Sequence, residues 1–392
     1  MSVSQILFEQ DLHPRVEFRT GISLHGHTLH SKESLLFLYR LAQRIAPIRF
    51  ALEHGEARYR RRYSRPPDLS RAWWTPPLSA HEAWNIEVRQ LAEHFGLAPL
   101  VSLSDHDNID APILLQHREE CRPLPVSVEW TVPYGGTFLH IGVHNLPLGK
   151  ARAIMADLAA YTAQTSPVPL ADIFQSLAAN RGTLIVFNHP NYDENKIGEE
   201  AHRATVRRFS ACYKQYLHAF ELNGLRPWAE NRTVVDLARH FGKPIVAGGD
   251  RHGLEPNALL NLSNASTFPE FVEEIREGYS QVLIARQYME PLAMRVLQNL
   301  EDILRDYDRH LYGKHWSDRV FYVGDDGVTR SFSQLWDDTP LSVRLFTRCV
   351  NVLRHPRFKQ AFRMAFAKRE AVALPAGIAM ARSSVQVAGF GS

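Results

Sequence analysis

The stretch Gly21-Ile-Ser-Leu-His-Gly-His-Thr28 runs a short apolar strand candidate, Gly21–Leu24, directly into His25 and His27. On an extended chain residues i and i+2 point the same way, so both imidazoles can face one point. The same arrangement recurs along the chain. Strand candidates at Pro99–Leu103, Val126–Val128, Thr137–Val143, Leu184–Phe187, Ala219–Leu222, Pro244–Ala247 and Gln281–Ile284 alternate with helical patterns at Ala83–Phe95, Lys150–Thr162, Leu170–Asn180, Glu230–Phe241 and Phe268–Gly278. Several helices stop at Gly, as in Arg181-Gly182 and Phe241-Gly242, which is C-cap chemistry. Alternating β and α units argue for an α/β fold with a mainly parallel sheet, and a barrel would gather the strand C-terminal ends at one face.

At those ends stand groups that bind metals. Asp105-His106-Asp107 follows the second strand, Glu129 the third, and Asn188-His189-Pro190 closes Leu184–Phe187. Glu221 and Asn223 close Ala219–Leu222, and Asp250-Arg251-His252 follows Pro244–Ala247. His140 falls inside its own apolar run. A single strand-end histidine says little, but independent strands ending alike say more. His, Asp and Glu without Cys suit Zn²⁺, Mn²⁺ or Fe²⁺, and the number of donors fits a site of two or three metals. His30, His54, His81, His144, His218 and His240 lie off this pattern and read as surface or core histidines.

Composition narrows the class. The chain has 392 residues, 45% of them hydrophobic, enough for one large domain with additions or for two. Against 42 Asp and Glu stand 45 Lys and Arg, so no global field for nucleic acid is expected. Cys121, Cys212 and Cys349 form no C-x-x-C pair, which argues against a disulfide framework or zinc ribbon. Residues Met1–Phe18 do not pattern as a signal peptide, and no apolar run reaches membrane-spanning length. A cytoplasmic setting is the expectation.

Two regions break the rhythm. Between about 35 and 80, Arg58, Arg60, Arg61, Arg62, Arg65 and Arg71 lie among Tyr59, Tyr63, Trp73, Trp74 and paired prolines. This insertion reads either as a solvated surface segment or as a lid that binds phosphate through arginine. From 289 to 392 follows a mainly helical, basic extension with a small hairpin at Asp326-Gly327 and a weakly patterned tail that reads as disordered. Its acid-free run from Arg344 to Arg369 reads either as packing helices or as a contact for nucleic acid or an anionic surface.

These motifs together resemble the polymerase and histidinol phosphatase (PHP) superfamily. Its H-x-H-T-x-x-S element is similar to His25-Gly-His27-Thr28-Leu-His-Ser31, and its T-D-H-D to Ser104-Asp105-His106-Asp107. Later elements are similar to Glu129, His140-Ile-Gly142, His189-Pro190 and Gly249-Asp250-Arg251-His252, all within about Gly21 to Arg286. The resemblance implies a distorted seven-stranded (β/α) TIM-like barrel over residues 1–288. It also implies one metal on His25, His27, Glu129 and Asp250, a second on Glu129, His140 and His189, and a third on His106 and His252, with Glu33 at the remaining position. The chain departs from the family pattern at Ser23, Ser104 and Gly249, and its H-h-x-G element is one residue short.

The expected function is hydrolysis of a phosphate ester by a metal-bridging hydroxide, with two or three divalent ions (Zn, Mn or Fe) as cofactors. Asp105 is a candidate to orient His106 or move a proton, and Arg251, Arg226, Arg58 and Arg61 are candidates to hold phosphate. The substrate is a small phosphorylated molecule or a short oligonucleotide. A nuclease or nucleotidase, an amidohydrolase or deaminase, and a non-enzymatic metal-binding protein remain as alternatives.

Overall fold

The computed structural model describes residues 3–12, 18–44, 46–122, 124–336, 341–353 and 356–365. Among the described residues fourteen strands fall into three sheets. The first is built from β1 (Val3–Phe8), β2 (Thr20–Gly26), β5 (Ala98–Leu103), β11 (Leu259–Ser263) and β12 (Tyr279–Ile284), in the order β1-β12-β11-β2-β5. The second is β6 (Val126–Tyr134), β7 (Thr137–Leu146), β8 (Leu184–Asn188), β9 (Ala219–Asn223) and β10 (Ile245–Gly248), in sequence order. Strands β8, β9 and β10 run parallel, as does β2 with β5. The expected parallel rhythm is interrupted by β11, antiparallel to both neighbours, and by the β6–β7–β8 meander. The ladders fall into two five-stranded sheets of an α/β fold. Bridges His106–Glu129 and Gly26–Arg251, with Gly249 N donating to Leu24 O, bring the sheets together at the strand ends.

Burial explains the strands. Every residue of β2, β8, β9 and β10 is buried, as expected of strands covered on both faces. The helix Leu170–Ala178 turns Leu170, Ile173, Phe174 and Leu177 inward, one apolar stripe per two turns. The helix Trp228–Phe241 ends at Gly242 in left-handed conformation (φ 66°), the cap its sequence announces. One boundary moves in a way that matters for the site. The third strand does not stop at Val128 but continues to Tyr134 and turns through Gly135 and Gly136 into β7. Glu129 and His140 thus stand inside paired strands, opposite Gly142 and Thr131.

The third sheet joins the two irregular regions. β3 (Glu33–Ser34) and β4 (Ala72–Trp74) flank the insertion, while β13 (Val320–Val323) and β14 (Thr329–Ser331) form the expected hairpin of the extension. β4 pairs with both β3 and β13, in the order β14-β13-β4-β3. Leu35, Tyr59, Ala72, Trp74, Tyr322, Leu335 and Trp336 share one core. Arg58, on the helix Ala46–Tyr63, lies over the Trp336 ring at 5.1 Å, and Arg71 pairs with Asp325. The insertion is neither simply solvated nor independent of the extension. The extension in turn combines helices with strands and is not helical throughout.

The helix Leu292–Leu304 carries the extension back to the two large sheets. Its Asp302, 1% exposed, accepts the amide of Leu254 at 2.7 Å, just past His252. Burial pushes the Asp302 carboxyl up to about 6, against the Leu254 amide and Arg305 that favour its charge. A folded-state value above the unfolded one means that the native state binds this proton more tightly. The resulting penalty is absent below pH 3.8, grows between 3.8 and about 6, and persists above. Asp302→Asn keeps an acceptor for Leu254 and removes the charge. It is expected to be about 1–3 kcal/mol more stable than the parent at pH 8 and no more stable at pH 4. Urea unfolding at the two pH values checks this, and a variant less stable at pH 8 refutes it.

Of the basic run, Arg344, Arg348 and Arg357 are exposed on the helices Leu341–Leu353 and Pro356–Ala365, and Val350 is buried. Arg354, Lys368, Arg369 and the tail from Pro375 lie outside the described residues. Among the described residues no helix is long and apolar enough to cross a membrane.

Candidate metal centre

Strand β2 delivers His25 and His27 through a register shift between Leu24 and Gly26, with His25 at φ 64°. Asp107, His189 and Asp250 also have positive φ. Non-glycine residues in this region are strained, and the strain collects here at the strand ends. A Cβ on Gly26 would stand 2.3 Å from Glu87 Oε1, so any larger residue here would displace the buried Glu87 carboxylate that holds Arg251.

Glu129, fully buried, is the centre of the cluster. Its Oε2 lies 2.8 Å from His25 Nε2, 3.4 Å from His27 Nε2 and 3.3 Å from His106 Nε2. Its Oε1 lies 3.0 Å from His189 Nε2 and 3.7 Å from His140 Nδ1. Asp250 Oδ1 stands 3.4 Å from His27 Nε2 and 3.7 Å from His25 Nε2. A second carboxylate, Glu33, reaches His252 Nε2 at 2.9 Å, His106 Nε2 at 3.4 Å and His27 Nδ1 at 3.4 Å. All nine residues expected to ligate metal therefore meet in one cluster. Ligand bonds of about 2.0–2.2 Å at octahedral or tetrahedral angles place neighbouring donors about 2.8–3.6 Å apart, close to the 2.8–3.7 Å seen here.

The electrostatics fit cations. Burial raises Glu33, Glu129 and Asp250, but the surrounding imidazoles outweigh it and hold all three well below the carboxylate range. Burial opposes charge on His25, yet Glu129, Glu221 and Asp250 drive it well above its ordinary value. His106 and His252 rise likewise against burial, through Glu129 and Glu33 in the first case and Glu33 and Asp250 in the second. His27 falls to about 4 because burial prevails there. The carboxylates thus draw positive charge onto the imidazoles, and divalent cations would answer the same demand while leaving the imidazoles neutral. His27 Nε2 and Glu33 Oε1 are buried without a hydrogen-bond partner, as ligand atoms awaiting a cation would be.

Neighbouring groups hold the cluster in place. Glu221 accepts His25 Nδ1 at 2.5 Å and the His189 amide at 2.8 Å, which turns His25 Nε2 toward Glu129. Asn188 donates to Glu129 Oε1, and Asn223 bridges Glu221 and Asp250. Asp105 points elsewhere than expected. Its oxygens accept the Thr28 amide at 2.6 Å and hydroxyl at 2.7 Å, so it clamps the turn after His27. Arg251 lies behind the site, 4% exposed, donating to Glu87 and to the carbonyls of Gly253 and His27. Ser23 donates to the same Glu87.

A pocket of about 400 Å³ opens over the cluster. Arg226 lines it, stacked 3.6 Å over Tyr192, and Arg295 of the helix Leu292–Leu304 lines it too. Arg58 and Arg61 do not. Sequence reasoning missed Arg295, Glu87 and Glu194, the last lying 3.3 Å from His140 Nε2 and drawn down to about 2 by His140 against burial. Glu194 belongs to a loop without periodicity. Glu221 stood visibly at a strand end without being assigned.

No family model and no curated protein matches the chain. Among solved structures it is similar to an amidohydrolase from Chromobacterium violaceum with bound sulfate and no metal, at 17% identity over 45% of this chain and 83% of that one, TM-score 0.31. It is also similar to PsfC from Pseudomonas syringae, at 13% identity over 72% and 97%, TM-score 0.40. A third is described as a candidate metal-dependent phosphoesterase from Bifidobacterium adolescentis, at 14% identity over 51% and 91%, TM-score 0.31.

Proposed function

We propose that this chain is a metal-dependent phosphoesterase. The observation that carries the reading is the sharing of Glu129 among His25, His27, His106, His140 and His189, with Glu33 tying His106 to His252. One carboxylate between several imidazoles suits a multinuclear site, which would be held by His25, His27, Glu129 and Asp250, by Glu129, His140 and His189, and by His106, His252 and Glu33. What divalent ions supply at such a site is a hydroxide nucleophile near neutral pH and compensation of phosphoryl charge. Glu221 and Asn188 hold His25 and Glu129 in orientation. Arg226, stacked on Tyr192 and lining the pocket with Asp250, would bind a non-bridging phosphate oxygen.

Protein incubated with Mn²⁺ or Zn²⁺ is expected to retain two or more equivalents by elemental analysis and to release phosphate from an aryl phosphate. Short oligonucleotides and amide substrates in the same screen test the alternative activities. Less than one equivalent of metal, together with a His25→Ala variant equal to the parent, overturns the reading. Arg226→Ala is expected to raise KM for the aryl phosphate about 10- to 100-fold, as loss of a charged hydrogen bond does, with a smaller change in kcat. An unchanged KM removes Arg226 from substrate binding.

A further inference from the structure

Beside the metal pocket lies a second, half-open cavity, lined by the insertion and the extension together. It measures about 230 Å³. Leu38, Ile48, Leu52, Leu304 and Trp336 contribute to its walls. Glu56 is the one charged lining residue among those described, and it already accepts the Tyr39 hydroxyl. Trp74, Leu300 and Ile303 line both this cavity and the metal pocket, so the two spaces share a wall. Trp74 also stands 5.8 Å from His252, between ring centroids.

Protein interiors are close-packed, and voids much larger than a water are few. An apolar cavity of about 150 Å³ in another protein stays dry and admits benzene, and this one is larger. Gly55 adds a second observation. It lies mid-helix in Ala46–Tyr63, on the cavity wall, where a Cβ would meet nothing within 4 Å. Glycine weakens a helix interior, and here it leaves the space open where any other residue would begin to fill it.

We propose that this cavity receives the apolar body of the substrate, a short alkyl chain or a single ring esterified to the phosphate. The inference rests on the phosphoesterase reading for the phosphate end and on the cavity alone for the apolar end. The substrate class is then an amphiphilic phosphate ester, with the phosphate at the histidine cluster and Arg226, and the carbon chain passing Trp74, Leu300 and Ile303. Insertion and extension would then both contact that chain, since both line the cavity.

The test uses the full chain and n-alkyl phosphates from methyl to octyl, with n-hexanol as a probe that carries no phosphate. Calorimetry on protein without added metal reads binding, and phosphate release from metal-loaded protein reads turnover. Affinity is expected to rise by about fourfold per added CH₂ until the cavity is full. Gly55→Leu fills the cavity without touching the pocket over the metals. It is expected to abolish the chain-length dependence and hexanol binding, leave methyl phosphate unaffected, and keep or raise the melting temperature. Ala51→Leu, on the same wall, repeats the test should the first variant fold poorly. Hexyl phosphate binding no tighter than methyl phosphate, or a chain-length gain that survives in both variants, overturns the proposal. Chain-length-dependent binding without turnover of any phosphate would instead uphold the cavity and fail the phosphoesterase reading.

Discussion

Glu129→Gln is expected to lower kcat/KM by about 10²–10³-fold or more and to remove at least one equivalent of bound metal. The substitution keeps volume and an acceptor, so the side chain still fits a position with no exposure. What it removes is the charge that the imidazoles hold well below the carboxylate range. Both oxygens are in use: Oε2 faces His25, His27 and His106, while Oε1 faces His189, His140 and the amide of Asn188. A glutamine presents one oxygen and one NH₂, and the NH₂ would have to point at imidazole nitrogens that the site needs as donors of electron pairs. Loss of a shared ligand should therefore affect more than one metal position. Elemental analysis beside steady-state kinetics checks the two effects together. A variant that keeps full metal content and activity within about threefold would show that Glu129 is only a structural counter-charge.

Much of this centre was legible because strand ends are legible. His25, His106, His189 and Asp250 each follow a short apolar run, and burial at the end of each run makes it stand out. Glu129 was found for the right side chain but at the wrong kind of place, since Trp130 and Val132 continue the strand in alternation with Thr131. β1 was missed because only Ile6 in it is buried, and β11 because its buried Asn261, satisfied by the Ala247 backbone, breaks the apolar run. The helix Glu199–Tyr213 was missed for a related reason: its buried face includes His202, Thr205 and Ser210. Of the third sheet only the β13–β14 hairpin was legible, from Asp326-Gly327; β3, β4 and their pairing were not. Strands of two and three residues carry no period, and their pairing joins Trp74 to Val320, far apart in sequence. Arg58 looked like a phosphate ligand for the same reason, because an arginine over a tryptophan and an arginine awaiting phosphate have the same neighbours in sequence.

Deleting residues 290–392 is expected to cost both stability and activity, although it removes none of the nine clustered metal ligands. The cut takes away β13, the partner of β4, and with it Tyr322, Leu335 and Trp336 from the core that covers Leu35, Tyr59 and Trp74. Exposing a large apolar side chain costs about 1.5–3 kcal/mol, so uncovering three amounts to roughly 5–9 kcal/mol. That is comparable with the whole stability of an ordinary domain, about 5–15 kcal/mol. The insertion should unfold locally first, because β3 and β4 then hold only each other. Glu33 lies in β3, so the carboxylate that faces His252, His106 and His27 loses its position. The cut also removes Arg295 and the Asp302 carboxylate that fixes the loop after His252. The expected result is a protein with a lower melting temperature, faster proteolysis within residues 35–75, and activity reduced by more than about tenfold, the loss expected when a supporting wall is removed. Supplying the deleted segment as a separate chain should restore part of each. Retention of metal content, melting temperature and turnover by the truncated protein would make the extension an appendage and leave the site to residues 1–289 alone.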